Sequence, residues 1–336
     1  MPLPASAAAF LAGLQERLRR LQPRKRIVFP EGDDLRIIAA AARLEREGLI
    51  EPILVGTKPA GTAAGLRYVD PATSPRTASY GALYYERRRA KGITATEAVE
   101  AARDPLRFAA LMVAAGDADG SVGGAAHSTA EVARAALQCI GTPPKIRSAS
   151  SFFLMGLHNQ EVGHHGLLLM ADCAVIVDPS AVELADIALT TAESTRAILE
   201  VEPTVAMLSF STKGSATHKE VSKVVEALRI IRARAPELHV DGEFQADAAL
   251  LSHVGRSKAP GSTVAGQANT LIFPNLAAGN IGYKLVEALC GAAAMGPIFQ
   301  GLAKPANDLS RGCSAEDVYG VALITALQSE GSRRYV

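Results

Sequence analysis

The apolar and polar positions of this 336-residue chain switch repeatedly between short β-type runs and longer stretches at helical spacing. From Ala5 to Leu21, Phe10, Leu11, Leu14, Leu18 and Leu21 fall on one side while Glu16, Arg17, Arg19 and Arg20 fall on others, which predicts an amphipathic surface helix. Arg26-Ile27-Val28-Phe29-Pro30 reads as a strand, Leu35 to Arg46 as a helix, and Pro52-Ile53-Leu54-Val55-Gly56 as a second strand after Gly48. This β-α-β unit predicts parallel strands with a covering helix. Glu31, Asp33 and Asp34 before that helix read as N-cap and first-turn charges.

Asp70 to Arg76 is a loop, and the helix after it carries Tyr84, Tyr85, Arg87, Arg88, Arg89 and Lys91. Three consecutive arginines cannot share one helix face, so at least one points across the surface or into a cleft, and Arg88 is the candidate taken here. Asp104-Pro105 opens another helix through Phe108, Leu111 and Met112. Ala118 to Gly124 follows as a strand running into glycines, and a helix from Thr129 to Ile140 would aim its first amides at an anion. Arg134 on that helix is either a packing residue or an anion hook.

Thr142-Pro143-Pro144 reads as a hinge, placing a domain change between 144 and 148, and Ser148 to Met155 reads as a serine-rich turn feeding an apolar strand. The alternation then resumes: strand Ala174 to Val177, helix Ala181 to Leu199, strand Val205 to Phe210, helix Lys219 to Arg234, and His239 to Gly242. Ser209, Ser211 and Thr212 stand at a strand end, where ligands of open parallel sheets sit. Leu271 to Pro274 is a further short strand, and Asn275 to Asn280 leads into a helix from Ile281 to Leu289. Adjacent His164 and His165 would point to opposite sides of a strand and make no chelating pair.

Composition narrows the function. At 48% hydrophobic the chain is ample for two lobes, and 35 Lys plus Arg against 34 Asp plus Glu argues against nucleic acid as the main partner. No run approaches the length of a membrane span, and no nucleotide-binding glycine fingerprint or P-loop is present. Cys139, Cys173, Cys290 and Cys313 are scattered, which fits a reducing cytoplasm and gives no zinc signature.

The densest chemistry lies in Lys304-Pro305-Ala306-Asn307-Asp308-Leu309-Ser310-Arg311-Gly312-Cys313-Ser314-Ala315-Glu316-Asp317, read as a reactive turn. The fork of Arg311 suits a planar, multiply charged anion such as phosphate. Asp317 has two readings, a base or the acid of a Ser-x-x-acid helix start.

Phe29-Pro30-Glu31-Gly32, Asp70-Pro71 with the Tyr84 to Gly92 segment, Ser128-Thr129-Ala130 with Arg134, Ser151 to Met155, Asp241 to Asp247, Gly279-Asn280-Ile281-Gly282-Tyr283-Lys284 and Lys304 to Cys313 occur in this order over essentially the whole chain. Together they resemble the phosphate acetyl/butyryl transferase family. The resemblance implies an α/β fold of two three-layer α/β/α domains with mainly parallel sheets, an interdomain active-site cleft, and an architecture like isocitrate and isopropylmalate dehydrogenases. Expected boundaries are 1–147 plus 311–336 for domain I and 148–310 for domain II.

The reaction implied is acetyl-CoA plus phosphate to acetyl phosphate plus CoA, by direct attack of the CoA thiol on acetyl phosphate in the reverse sense. By resemblance, Arg311 engages the phosphoryl group, Ser310 hydrogen-bonds the reacting acyl phosphate and Asp317 receives the thiol proton. Arg88 and Arg134 are associated with CoA, and Ser128, Thr129, Asn280, Tyr283 and Lys284 are carried over as substrate-binding. No cofactor or metal is implied for the chemistry; CoA or acetyl-CoA is a co-substrate, the partners are small molecules, and a cytoplasmic homodimer is expected. Direct transfer also leaves Cys313 without a nucleophile's part.

Two departures stand out: Ala288 where the acetyl enzymes often carry arginine, and Asn275 where aspartate is common. Both remove charge near the expected cleft. Competing readings are a propionyl or butyryl transferase, an acetyl-CoA-sensing module without transfer, and a metal- and nicotinamide-dependent decarboxylating dehydrogenase. The last would need clustered aspartates and a nucleotide fingerprint that the sequence lacks.

Overall fold

Ile27, Val28 and Phe29 are fully buried on both faces of their strand, as a central strand of a covered parallel sheet requires. The computed structural model describes residues 2–61, 65–144, 146 and 148–331. In chain order the elements are α1 (Ala5–Arg19), β1 (Lys25–Phe29), α2 (Leu35–Arg46), β2 (Ile50–Val55), β3 (Arg67–Val69), α3 (Thr77–Arg88), α4 (Ala95–Ala101), α5 (Pro105–Ala115), β4 (Gly120–Gly123) and α6 (Thr129–Cys139). They continue through β5 (Ser150–Gly156), β6 (Leu167–Ala171), α7 (Ala181–Leu199), β7 (Val205–Leu208), α8 (Lys219–Arg234), β8 (Val240–Phe244), α9 (Ala246–Leu250) and α10 (Ser252–Lys258). The chain closes with β9 (Thr270–Ile272), α11 (Leu276–Cys290), β10 (Ala293–Gln300), β11 (Ala306–Asp308) and α12 (Ala315–Gly331).

The chain divides into two units, Leu11–Lys145 with Leu302–Val336, and Met1–Phe10 with Ile146–Gly301. The first holds a five-stranded sheet in the order β11-β4-β1-β2-β3, parallel at every pairing. The chain returns to this unit earlier than the expected 310/311 boundary, because β11 pairs with β4 in register from Ala306 opposite Ser121. The expected change between 144 and 148 includes positions 145 and 147, which lie outside the described residues, as does 332–336.

Helix α2 shows how local sequence builds the first unit. Asp34 caps it by accepting from the Arg36 amide, and Ile37, Ala40, Ala41 and Leu44, spaced by three and four, form its buried face. α12 lies directly on β4: a Cβ at Gly120 would come within 2.6 Å of Thr325 Cγ2, so only glycine permits the approach. The fully buried Asn307 donates from Nδ2 to Thr325 Oγ1 (2.8 Å) and Gln328 Oε1 (2.7 Å), fastening β11 to the same helix.

The second unit holds a six-stranded sheet in the order β10-β5-β6-β9-β7-β8. Its last four strands are parallel neighbours, while β10 and β5 run antiparallel to their partners at one side. Helices α7 and α8 span the residues their patterns predict, Ala181–Leu199 and Lys219–Arg234. Four expectations are corrected. Residues 174–177 are a turn, not a strand, because the buried Asp172 carboxylate accepts from the amides of Ala174, Val175 and Ile176 and draws the backbone around itself. The strand there is Leu167–Ala171, and α11 starts five residues before Ile281, capped by Asn275. β10 has no counterpart in the sequence reading, since its alanines and glycine carry little β signal. His164 and His165 sit in a turn with rings in contact at 4.6 Å rather than on opposite sides of a strand.

A buried carboxylate holds the first unit's loops in place. Glu31 Oε1 accepts from the amides of Ala126 (2.8 Å) and His127 (3.1 Å) and meets His127 Nδ1 at 2.7 Å; Oε2 accepts from Gly124 (3.0 Å) and Ala125 (2.9 Å). The side chain therefore does not serve the N-terminus of α2, as its position in sequence suggested. It grips the loop after the neighbouring strand, because an acid leaving the end of β1 reaches the turn that leaves the end of β4. Replacing Glu31 by Gln removes one acceptor oxygen and the charge that strengthens the remaining bonds. Urea denaturation should show a loss of about 3 kcal/mol, the range for a charged hydrogen bond left unmade; a loss under about 0.5 kcal/mol would refute this role.

Candidate active site

At the carboxyl end of the first unit's sheet, three neighbouring strands release three loops: 30–34 after β1, 124–128 after β4 and 309–314 after β11. This is where open parallel sheets place ligands. The stretch from 304 to 317 is not one continuous turn. Lys304 donates to the carbonyls of Val113 and Ala114 at the end of α5, Ala306–Asp308 is the buried strand β11, and Leu309 is buried. Only from Ser310 does the chain come out to solvent, with Ser310, Arg311 and Gly312 exposed.

The loop has internal structure. The Cys313 amide donates to the Ser310 carbonyl (2.9 Å), and the Gly312 amide to Ser310 Oγ (3.3 Å). Among the described residues the Arg311 guanidinium has no hydrogen bond or ion pair, so its donors are open to an anion. Cys313 is buried, and burial pushes its thiol up to about 11, which keeps it protonated and unfit as a nucleophile near neutral pH.

Asp317 does close the helix start. Its Oδ2 accepts from the Ser314 amide (2.7 Å) and Ser314 Oγ (2.8 Å), while its own amide donates to Ser314 Oγ (3.2 Å). Those bonds occupy one oxygen of an exposed carboxylate and leave Oδ1 without a hydrogen bond among the described residues. The cap and a proton-accepting role are thus compatible in one side chain.

In the loop after β4 the amides of residues 124–127 are bonded to Glu31. The Ser128 hydroxyl caps α6 in a reciprocal box with Glu131. Gly124 itself has φ +108°, and a Cβ there would overlap Asp308 Oδ1, so the turn and the end of β11 touch without an intervening side chain.

Asp308 lies at that junction. It is fully buried, and neither carboxyl oxygen has a partner of good hydrogen-bond geometry among the described residues. Burial pushes its carboxyl up to about 7; Glu31 adds to the rise, while the nearby Thr129 hydroxyl and Leu309 amide pull against it. Thr129 is therefore set beside the end of β11, which brings it near the loop of Ser310 and Arg311.

Further along α6 lies Arg134, exposed and with no hydrogen bond or ion pair among the described residues. At the other end of the helix, Tyr84 Oη donates to Gln138 Oε1 (2.8 Å) and Arg87 Nη1 to the Ile140 carbonyl (2.9 Å), laying the end of α3 alongside. Of the three consecutive arginines, Arg87 is thus used and Arg89 pairs with Glu86 at 3.3 Å. Arg88 is half-buried and makes no hydrogen bond or ion pair among the described residues. At ~1.5 Å per residue, α6 separates Thr129 from this corner by roughly 16 Å. Arg311, Arg134 and Arg88 all belong to the first unit, and none of the three has a hydrogen bond or ion pair from its side chain among the described residues.

Asn280, Tyr283 and Lys284 belong to the second unit, on α11. Asn280 Nδ2 donates to the Cys173 carbonyl (3.1 Å), and Tyr283 is buried and stacked on Phe153 at 3.8 Å. Lys284 is exposed. Asn275 caps α11 through Ala278, a task asparagine performs as well as aspartate, and Ala288 is exposed on the same helix. Two groups escaped the sequence reading, Arg36 and Asp308. Arg36 donates to the carbonyls of Arg311 and Cys313, and backbone carbonyls leave no trace in a residue pattern.

Among the described residues no group of three or more His, Cys, Asp and Glu side chains is arranged to hold a metal, and no helix is long and apolar enough to cross a membrane. A family model described as phosphate acetyl/butaryl transferase matches residues 9–326. The chain is 48% identical over 318 residues to the phosphate acetyltransferase of Clostridium acetobutylicum, covering 92% of this chain and 96% of that protein. It resembles the crystal structure of a phosphotransacetylase from Streptococcus pyogenes with a TM-score of 0.90 and 44% identity, over 97% of this chain and 99% of that one. A branched-chain phosphotransacylase from Enterococcus faecalis shares the fold at 17% identity and a TM-score of 0.68, over 91% and 99% of the two chains.

The Asp308 carboxyl generates a prediction about stability. A carboxyl with a folded pKa near 7 and an unfolded one of 3.8 contributes stability that is complete below pH ~4 and is lost as pH rises through about 7. Asp308→Asn, being neutral throughout, should flatten the decline in unfolding free energy between pH 5 and 8. The expected difference at pH 8 is on the order of 4 kcal/mol; parallel pH curves for the two proteins would refute it.

Proposed function

The chain belongs to the phosphate acetyl/butaryl transferase family, and we infer that its reaction is the reversible exchange of an acetyl group between CoA and phosphate. It is an acyltransferase, and CoA and acetyl-CoA are its substrates rather than bound cofactors. The observation that carries the assignment of roles is the loop after β11. It presents a guanidinium at Arg311 without a partner among the described residues, a hydroxyl at Ser310 and, one turn on, a carboxylate at Asp317 whose Oδ1 has no hydrogen bond among those residues.

In the direction of thioester synthesis, Arg311 holds the phosphoryl group of acetyl phosphate with paired N–H donors. Ser310 Oγ donates to the same substrate and steadies the oxyanion that forms as the carbonyl carbon becomes tetrahedral. Asp317 Oδ1 takes the thiol proton as sulfur bonds to that carbon. The C–O bond to phosphate then breaks, and phosphate leaves against Arg311 with the electron pair. Bonds formed and broken balance without metal, oxidant or covalent enzyme intermediate. Arg134 on α6 and Arg88 at the end of α3, which Arg87 ties to the end of α6, suit the separated phosphates of an extended CoA, and Thr129 lies at the reacting end of α6. Asn280 and Tyr283 take part through the shape of α11, since their polar and aromatic groups have partners inside the second unit.

A reducing, cytoplasmic setting is supported by four free thiols. A homodimer is supported by α11, whose Ile281, Leu285 and Leu289 recur every four residues on one side and are 58%, 52% and 77% exposed. Leu285→Lys should then convert a dimer to a monomer in light-scattering chromatography, whereas a wild-type protein that elutes as a monomer defeats this part of the reading.

Acetyl phosphate and CoA should yield thioester absorbance and free phosphate in the presence of a chelator. Asp317→Glu separates the two roles of that side chain, because glutamate preserves the helix-capping box while moving the carboxylate by one methylene. Its thermal midpoint should stay within about two degrees of the wild type, as expected for a small change in capping, while kcat falls by about 100-fold or more. Unchanged turnover would leave Asp317 as a cap alone.

A further inference from the structure

We propose that Arg36 is a positioning residue for acyl transfer, setting the conformation of the loop that carries Ser310 and Arg311 while touching no substrate itself. This rests on the roles assigned to that loop above.

Arg36 stands two residues after the cap of α2. Its Nε donates to Asp34 Oδ1 (3.0 Å) and its Nη2 to Asp34 Oδ2 (2.7 Å), a two-pronged pairing that fixes the plane of the guanidinium. The same pairing holds the Asp34 carboxyl below the usual range and raises the guanidinium pKa, so both stay charged. With its plane set, Nη1 donates to the carbonyls of Arg311 (2.8 Å) and Cys313 (3.1 Å), and Nη2 to the carbonyl of Ala125 (2.7 Å). One side chain in the first turn of α2 thereby joins the β4 loop and the β11 loop.

Five hydrogen bonds occupy the five N–H donors that a guanidinium possesses. Arg36 has none left for a phosphate. That separates it from Arg311, Arg134 and Arg88, which make no hydrogen bond or ion pair among the described residues. What Arg36 does hold is the backbone on which Arg311 is mounted. Fixing the carbonyls of 311 and 313 fixes the direction in which the Arg311 and Ser310 side chains leave the loop, and a displacement of about 1 Å can lower a rate on the order of 100-fold. Lysine cannot substitute, since a flexible ammonium with three donors has no plane for Asp34 to orient.

The test compares steady-state thioester formation by Arg36→Ala, Arg36→Lys, Arg311→Gln and the Arg36→Ala/Arg311→Gln pair, with thermal melts of each. Arg43→Gln is the control: Arg43 also joins α2 to α12, through Glu316, but touches no loop carbonyl. Arg36→Ala and Arg36→Lys should each lower kcat about 30- to 100-fold while the KM for CoA stays within about twofold, and Arg43→Gln should leave kcat unchanged. On the Arg311→Gln background, Arg36→Ala should lower kcat by less than about threefold, because its effect passes through the residue already removed. The proposal is overturned if Arg36→Lys retains wild-type kcat, if the two losses multiply, or if the loss lies in the KM for CoA, which would make Arg36 a substrate contact. Full activity of Arg311→Gln would instead sink the reading of the loop, and the role of Arg36 with it.

Discussion

Burying a carboxylate is unfavourable unless its oxygens are satisfied, and the first unit meets that demand with backbone. Glu31, 4% exposed, is surrounded by the amides of residues 124–127 and the ring of His127. The rest of the site depends on this arrangement. It uses the backbone amides of residues 124–127 and so fixes the loop that leads into α6 and Arg134. It also places a charge beside Asp308, whose own carboxyl is driven toward neutrality by burial. Glu31 is bonded to backbone on both oxygens, whereas Asp308 is buried without such a set of amides and its carboxyl pKa is raised.

The second unit solves the same problem in the same way. Asp172, 3% exposed, follows β6 and accepts from the amides of Ala174, Val175 and Ile176 as well as from Ser151. In both units an acid at the end of a buried strand collects consecutive amides and shapes a connecting loop. Loops built this way are rigid without being packed with apolar side chains, which leaves their outer faces free for polar ligands.

Much of this was legible from residues alone. The helices at 181–199 and 219–234 follow directly from apolar spacing and Ser or His before the first turn, and Asp34, Asp104 and Ser128 cap helices where their types suggest. The loop of Ser310 and Arg311 was singled out by its chemistry, and Asp317 as a helix start. The departures share a physical cause. Glu31, Asp172 and Arg36 act on backbone groups brought near by sheet topology, and a peptide amide or carbonyl looks alike at every position. Strand β10 escaped because its pairing with β5 supplies the preference that its alanines lack. The arginines of 87–89 were separable only in part: sequence said that they diverge, and the bonds of Arg87 and Arg89 leave Arg88 as the open one.

The contact between Gly124 and Asp308 bears on how this protein can drift over generations. The turn admits no side chain because the Asp308 oxygen occupies its place, and the turn is held there by Glu31. A side chain at 124 would therefore have to come with a rearrangement of the strand end that leads into Ser310 and Arg311, whereas an isosteric change at 308 would not.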